Sequence, residues 1–274
     1  MSIRIAICIS GEARSWEMVA DSVTSLREEI KDMDINVDVY FHFWDHITKR
    51  RSKYKDDAIV EKINQEEILN RLEPKKYVFN DKRYLEPTID KLYNYIDLSK
   101  YTFNISRDIP ITNKKDLSNA VKYTNSPCLS QQISMCESLL LCTEQTEYYD
   151  IILRTRSDIS FNISKEKITH IIKKQKLKRT IQFPGISLRE KCENGFIPFV
   201  EYCFFVASST TLTSEVFQDY ETRLIKNIFV KKDNRISLKQ SHQAIPAFLR
   251  EKSKAHFSCP VHGFRYKLYQ PPLL

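Results

Sequence analysis

Two arginines and an aspartate alternate at the end of an apolar run in ILRTRSDISF, residues 152–161. If this run is a strand that continues through them, Arg154, Arg156 and Asp158 share one side, because alternate side chains of a strand point the same way. A carboxylate there can hold Mg²⁺ or Mn²⁺ against a diphosphate, while guanidinium groups neutralise the remaining phosphate charge. The alternative is a structural Arg–Asp pair. The pattern favours an anion site.

Two further stretches place polar groups directly after an apolar run. The run IRIAICIS leads into SGEAR, where a Ser-Gly turn and an arginine at a helix start can hold a diphosphate through backbone N–H groups, the helix dipole and the guanidinium. FHFWD, residues 41–45, closes a second run, where an aromatic ring and a carboxylate can bind a base and a ribose, or simply belong to the core. Neither GxGxxG nor GxxxxGKS/T occurs, which argues against the classical dinucleotide and P-loop enzymes.

The elements that must position these residues alternate between strands and helices. Apolar residues between Arg14 and Met33 recur at spacings of three and four, which predicts an amphipathic helix between two strands. A strand, a crossover helix and a strand form a parallel pair whose loops meet at one edge of the sheet. The sequence therefore predicts a three-layer α/β domain with a mostly parallel sheet flanked by helices. Further helices are predicted at 57–72, 126–143, 164–177, 211–228 and 237–252, and residues 81–125 are expected to be an irregular insertion.

Composition narrows the classes of function. The chain has 274 residues, 42% hydrophobic and 28% charged, which is ordinary for a soluble globular protein. It shows no secretory signal pattern and no run near the roughly 20 apolar residues of a membrane span, so we expect a cytoplasmic protein, in the host cytoplasm if it is viral. The net charge of +8 favours anionic partners. The basic residues cluster in KRRSKYK (49–55), in KKQKLKR (173–179) and around Lys231, Lys232, Arg235 and Lys239.

Four ordered motifs resemble a group of viral and bacterial nucleotide-sugar glycosyltransferases with the GT-A fold. They are ISGEAR after the first strand, DVYFHFW closing the second, SQQIS in the middle helix and YDIILRTRSDISF. That group carries SGxxR, DVFxHxW, a helix with glutamine and serine, and YDxxxRxRxD in the same order. The resemblance implies a GT-A-like sheet that binds a nucleotide-sugar, first of all a UDP-sugar, at its carboxyl edge, usually with a divalent metal ion.

When the positions of this sequence are matched to the motifs of that group, the resemblance implies a role for individual residues. Asp158 stands where the GT-A DxD motif holds Mn²⁺ or Mg²⁺, but position 156 is Arg rather than Asp, so only one of the two carboxylates is present. His262 in the last predicted strand is a candidate second ligand. The predicted donor-binding residues are Ser10, Gly11, Arg14, His42, Trp44, Gln131, Arg154 and Arg156.

The same resemblance places an acidic residue before a late apolar strand, which is Glu201 in FVEYCFFVAS. We expect Glu201 to remove the proton of the acceptor hydroxyl in an inverting transfer, with Asp158 as the second catalytic carboxylate. Glu215 and Asp219 are alternative bases. A single domain, 1–274, is expected, with 1–160 binding the nucleotide-sugar and 161–274 the acceptor.

The sequence is compatible with two kinds of sugar acceptor. The basic clusters suit the phosphates of DNA, and a phage enzyme that glycosylates a hydroxymethylated base would use them, reaching the base by flipping. An enzyme of surface polysaccharide or lipopolysaccharide synthesis would use the same clusters on an anionic membrane. A third interpretation is an inactive nucleic-acid-binding protein on the same fold, suggested by the missing second aspartate. The sequence favours DNA modification slightly.

Overall fold

The computed structural model describes residues 2–50, 58–95, 101–102, 112–123, 129–177, 179–183, 186–192, 195–200, 204–232, 235–238, 241–258 and 265–268. Its strands are β1 (Ile3–Glu12), β2 (Ile35–Trp44), β3 (His46–Arg50), β4 (Ala58–Lys62), β5 (Lys76–Asn80), β6 (Tyr101–Thr102), β7 (Ile151–Arg156), β8 (Ile159–Asn162), β9 (Thr180–Gln182), β10 (Ile186–Cys192), β11 (Gly195–Val200), β12 (Phe204–Ala207), β13 (Phe229–Lys232), β14 (Arg235–Leu238), β15 (His256–Ser258) and β16 (Arg265–Leu268). Its helices are α1 (Trp16–Glu29), α2 (Gln65–Leu72), α3 (Glu86–Tyr95), α4 (Lys114–Tyr123), α5 (Leu129–Thr143), α6 (Lys165–Leu177), α7 (Ser214–Phe217), α8 (Tyr220–Ile228) and α9 (Ser241–Ser253), with a 3₁₀ turn at Lys82–Leu85.

The main sheet has the strand order β15-β9-β12-β7-β1-β2-β5. Strand β1 pairs in parallel with β2 and with β7, and the pairs β2–β5 and β9–β15 are also parallel. Strand β12 runs antiparallel to both of its neighbours. The predicted three-layer α/β architecture with a mostly parallel sheet is therefore confirmed.

The central strand β1 is apolar from Ile5 to Ile9, where both of its faces are covered. Ile5, Ile7 and Ile9 belong to a core that includes residues of α1, α2 and α6. Ala6 and Cys8 belong to a second core, which includes residues of α3, α4, α5 and α7 to α9. Within the described ranges, no helix has the length and apolar character needed to span a bilayer.

Three predicted elements differ from the structure. The segment 57–72 is divided into β4 and α2, because the Asn64 side chain accepts the Glu67 N–H at 3.3 Å and caps a new helix. The predicted helix 211–228 is interrupted at Asp219, whose φ of 52° is left-handed and incompatible with a continuous helix. The described part of 81–125 is largely helical rather than irregular, since it contains the 3₁₀ turn, α3 and α4.

A hydrogen-bonded chain of two tyrosines and an aspartate ties β2 to the start of β7. The Tyr149 hydroxyl donates to Asp38 at 2.6 Å and lies 2.6 Å from the Tyr40 hydroxyl. Arg4 and Lys75 also donate to Asp38, at 2.9 and 3.0 Å. Burial raises the pKa of Asp38, but hydrogen bonds from Tyr149, Lys75 and Arg4 outweigh it and hold the pKa below its usual range. The phenol of Tyr149 is therefore bonded to an ionised group.

We expect Tyr149→Phe to lower the free energy of unfolding by about 2 kcal/mol, since a hydrogen bond to a charged group contributes roughly 1.5–3 kcal/mol. Urea denaturation followed by circular dichroism measures the change. Tyr148→Phe is the matched control, because Tyr148 is 51% exposed, and it is expected to have almost no effect. Equal stability of the two variants would contradict a role for the Tyr149 hydroxyl.

Candidate functional site

Residues of the ordered motifs come together at the carboxyl ends of β1, β2 and β7. In the strand register, Ser10 is the partner of both His42 and Arg156. The Arg154 Nη2 donates to Ser10 Oγ at 2.8 Å, and both residues are fully buried. Helix α1, which follows β1, belongs to the core on one face of the sheet, and α5 belongs to the core on the other, so this edge lies between two helical layers. Open α/β sheets bind their ligands outside the carboxyl ends of the strands.

Ser134 of α5 joins the first two motifs. Its Oγ accepts the Gly11 N–H at 2.8 Å and donates to the His42 carbonyl oxygen at 2.9 Å. The His42 Nδ1 also lies 2.8 Å from Ser134 Oγ, and Asn80 Nδ2 lies 3.1 Å from His42 Nε2. Because Asn80 Nδ2 is a donor, Nε2 accepts and Nδ1 carries the proton. His42 is thus a neutral histidine that fixes the ends of β1 and β2 against α5.

Gly11 is required by the backbone at this turn. Its φ of 119° lies in the region that residues with a side chain rarely adopt. A Cβ built at Gly11 would meet no atom within 4 Å. The space above the turn is therefore open to a ligand approaching the backbone.

Burial lowers the pKa of His42 from 6.5 to about 3. Below pH 6.5 this histidine takes up a proton in the unfolded chain, whereas in the folded chain it stays neutral down to about pH 3. The free energy of unfolding therefore rises with pH between these two values. We expect wild type to lose about 2 kcal/mol of unfolding free energy between pH 7.5 and pH 5 through this group. Urea denaturation at the two pH values measures it.

The matched comparison for this pH effect uses two variants. His42→Gln is expected to be less stable than wild type at pH 7.5. Its free energy of unfolding should not show the loss of about 2 kcal/mol between pH 7.5 and pH 5. His170→Gln, which changes an exposed histidine of α6, is expected to keep it. The same slope in all three proteins would contradict a neutral buried His42.

Glu12, at the end of β1, is the centre of an ionic cluster that sequence reasoning missed. Its carboxylate accepts from Arg14 Nε at 2.7 Å, from the Thr48 N–H at 3.1 Å and from Thr48 Oγ1 at 2.9 Å, and it pairs with the buried Lys82. Burial raises the pKa of Glu12, but the positive charges of Lys82 and Arg14 lower it by more, so the pKa lies below its usual range. Glu12 is therefore ionised and holds Arg14 in place. The Arg14 side chain remains 29% exposed.

Arg156 and Asp158 form a bidentate ion pair at the end of β7. Arg156 Nε donates to Asp158 Oδ1 at 2.8 Å, and Nη2 donates to Oδ2. The strand ends at Arg156 and the chain turns, so Asp158 reaches back to the arginine instead of extending a flat strand face. Their side chains are 23% and 10% exposed. Arg156 is thus the more accessible of the pair.

A divalent metal ion needs several carboxylate or histidine ligands close together. Across the part of the chain that the structure describes, no group of three or more His, Cys, Asp and Glu side chains is placed to hold a metal ion. Both carboxylate oxygens of Asp158 contact Arg156. The described residues do not fit a GT-A metal site, and His262 lies outside them. Metal ligation by Asp158 and His262 stays a prediction.

The remaining predicted residues have different surroundings. Trp44 is 1% exposed and packs edge-on against His42, with ring centroids 4.9 Å apart, so in this arrangement its indole supports the site from the core and does not face a base. Gln131 is half-buried in the first turn of α5. Glu201 lies outside the described residues, and its role as a base stays a prediction. Of the alternative bases, Glu215 on α7 and Asp219 after it are both exposed.

Cationic side chains are concentrated at this edge. Arg14 and Lys82 pair with Glu12, Arg156 pairs with Asp158, and Arg154 donates to Ser10. Because Arg14 and Arg156 are partly exposed, an anionic ligand is the complementary partner.

Comparison with solved structures gives a weak similarity to a known protein. Mouse xyloside xylosyltransferase 1, in its apo form, superposes over 94% of this chain and 84% of its own, with a TM-score of 0.38 and 10% sequence identity. A similarity of this extent is too low to support a conclusion about function. No protein-family model matches the chain, and no curated protein matches it.

Proposed function

We propose that this protein is a glycosyltransferase that takes a sugar from a nucleotide-diphosphate donor. The observation that carries the proposal is the meeting of motif residues far apart in the chain: Ser10 with Arg154, and Gly11 and His42 with Ser134. They meet at the carboxyl ends of β1, β2 and β7, beside the partly exposed Arg14 and Arg156. The order of the same motifs in the sequence resembles that of nucleotide-sugar glycosyltransferases.

The diphosphate is assigned to the two partly exposed guanidinium groups. A guanidinium carries five N–H donors, and the contact of Arg14 with Glu12 uses two of its nitrogens, so Arg14 retains donors for phosphate oxygens. Arg156 lies at the end of the neighbouring strand. Arg154 is fully buried, so it acts on the ligand through its field and by fixing Ser10. The open space above Gly11 admits the nucleotide.

In the proposed reaction, an oxygen of the acceptor hydroxyl forms a bond to the anomeric carbon as the bond from that carbon to the diphosphate oxygen breaks. The proton of the hydroxyl passes to a carboxylate, for which Glu201 is our candidate in an inverting transfer. The leaving diphosphate gains negative charge, and positioned guanidinium groups stabilise it in the transition state.

A donor screen by thermal shift tests the proposal. UDP-, GDP- and CMP-sugars are added with and without Mn²⁺ to wild type, to Asp158→Ala and to Asp32→Ala, a control at an exposed aspartate. A donor that binds the native state raises the melting temperature by mass action. We expect one UDP-sugar to stabilise wild type and the control but Asp158→Ala less. No shift with any donor, together with a shift on DNA, would favour an inactive nucleic-acid-binding protein.

The acceptor is then assayed in two arms with the donor that binds. One arm uses duplex DNA carrying hydroxymethylated bases, which the basic clusters of the sequence favour. The other uses surface glycans and lipopolysaccharide. Sugar transfer to DNA that weakens steeply with salt supports the first arm, because protein–phosphate contacts release counterions. Transfer only to glycans supports the second.

A further inference from the structure

The main sheet ends on one side at β5, whose outer edge is open. In the described ranges, β2 is the only strand that pairs with β5. The Asn80 carbonyl oxygen accepts the Asp45 N–H at 3.0 Å, so it faces β2. Because the backbone groups of successive strand residues point in opposite directions, the N–H and C=O groups of Tyr77 and Phe79 face outward. These groups are placed to pair with another strand.

Aromatic side chains lie along one face of this edge strand. Tyr77 is 46% exposed, and it stacks on Phe41 with ring centroids 5.5 Å apart. Phe79 is partly buried, and its ring centroid lies 5.7 Å from that of Tyr77. Edge strands are commonly protected against pairing by charges, prolines or bulges. Strand β5 has Lys76 at its first position, but it contains no proline and its register with β2 is continuous.

The sequence of β5 is complementary to itself in the antiparallel direction. A two-fold axis at Val78 places Tyr77 opposite Phe79 of a second copy, and Phe79 opposite its Tyr77. These are the residues whose backbone groups face outward, so each pair exchanges two hydrogen bonds. Their side chains lie on the same face, where opposed aromatic residues stabilise antiparallel strands. One contact therefore satisfies both the backbone groups and the exposed rings.

Charged residues beside β5 fit the same pairing. With the axis at Val78, Lys75 comes opposite Asp81, and Glu73 comes opposite Arg83. The Glu73 and Arg83 side chains are 74% and 83% exposed. Unlike charges therefore meet on both sides of the axis, which favours a second copy of this chain as the occupant of the edge.

We propose that β5 pairs with β5 of a second copy, antiparallel and centred on Val78, so that two seven-stranded sheets join into one. The contact is isologous, because each copy contributes the same surface. The carboxyl edges of the two sheets then lie on opposite sides of the joined sheet, and each candidate site keeps its own access. The proposal stands independently of the glycosyltransferase assignment, because it uses none of the residues to which that assignment gives a role.

A disulfide cross-link tests the register of this pairing. The two Val78 residues form a non-hydrogen-bonded pair, in which Cα atoms lie about 4.5 Å apart. A disulfide spans Cα distances of about 4.4–6.8 Å. Val78→Cys should therefore join two chains when copper–phenanthroline and oxygen remove two electrons and two protons from the pair of thiols. Non-reducing electrophoresis should then show twice the mass of the 32.4 kDa chain.

Lys76→Cys is the matched control for the cross-link. Residue 76 lies opposite Asn80 of the other copy, so the two introduced thiols sit about 13 Å apart along the strands. They should not cross-link. Wild type under the same oxidant gives the background of the native cysteines, of which Cys8, Cys136 and Cys142 are buried.

Analytical ultracentrifugation measures the dimer without a cross-link. We expect wild type to dimerise with Kd in the micromolar range, which suits an interface built on one pair of strands. Tyr77→Lys places a charge on the edge and should weaken the dimer by at least about tenfold. Tyr148→Lys makes the same change at a tyrosine that is 51% exposed before β7, and it should leave the dimer unchanged.

A charge reversal keeps the test valid if Tyr77→Lys does not fold. Arg83→Glu sets two like charges opposite each other and should weaken the dimer by about three- to tenfold. Adding Glu73→Arg restores unlike charges and should recover the affinity. Any one of three results would overturn the proposal: a wild type that is monomeric at about 100 µM, no weakening by Arg83→Glu, or equal cross-linking of Val78→Cys and Lys76→Cys.

Discussion

Arg14→Ala is expected to lower turnover of the nucleotide-sugar by about 10²- to 10³-fold, the usual loss when one positioned donor to a developing anion is removed. Arg14 is partly exposed, held by Glu12 and placed beside the open turn at Gly11. The fold should survive, because Glu12 keeps its contacts with Lys82 and Thr48. The measurement is the rate of nucleotide release from the donor identified by thermal shift, with donor affinity measured in parallel.

Two further variants make this test specific. Arg27→Ala removes an arginine that pairs with Glu73 at the far end of α1, and it should leave turnover within about twofold of wild type, since exposed pairs contribute little. Arg14→Lys keeps the positive charge but lacks the planar guanidinium group with its paired N–H donors. Its activity should therefore lie between that of Arg14→Ala and that of wild type. If Arg14→Ala and Arg27→Ala turn over the donor equally, Arg14 does not bind the diphosphate.

Lys82→Met is expected to lower the free energy of unfolding by about 3 kcal/mol at pH 7, because removing one partner leaves a buried carboxylate poorly compensated. Lys82 is 2% exposed and pairs with Glu12, which remains ionised because its pKa lies below the usual range. Urea denaturation measures the loss. Lys31→Met is the control, since Lys31 is 64% exposed in its pair with Glu28, and it should cost less than about 0.5 kcal/mol.

The pH dependence separates this ion pair from simple packing. A carboxylate whose folded pKa is depressed stabilises the protein above its unfolded pKa, about 4.5 for glutamate, and this stability is lost as pH falls through the folded value. The difference between wild type and Lys82→Met should therefore shrink as the pH falls, because the buried Glu12 takes up a proton in the folded variant at a higher pH than in folded wild type. A difference that is constant from pH 7 to pH 3 would show that only the packing of the Lys82 side chain was lost.

The sequence by itself determined the layered α/β architecture and the position of the main candidate site. Continuous apolar runs such as IRIAICIS indicate strands covered on both faces, and the spacing of apolar residues after Arg14 indicates a helix on one of those faces. Parallel strands joined by crossover helices bring their carboxyl ends to one edge. Ser10 and His42 are therefore expected at the same edge, and the strand register places them side by side, with Arg156 on the other side of Ser10.

Only the tertiary structure decided what these residues contact. Lys82 is 70 residues from Glu12 in the chain, and no local pattern marks a lysine that will be buried against a distant carboxylate. The turn after β7 directs Asp158 to Arg156, where an extended strand would have left it facing a ligand. Periodicity cannot show that Trp44 is buried in the core, because its burial depends on which helix covers the strand. Sequence periodicity determines which side of a strand a residue occupies, whereas long-range packing determines what lies opposite it.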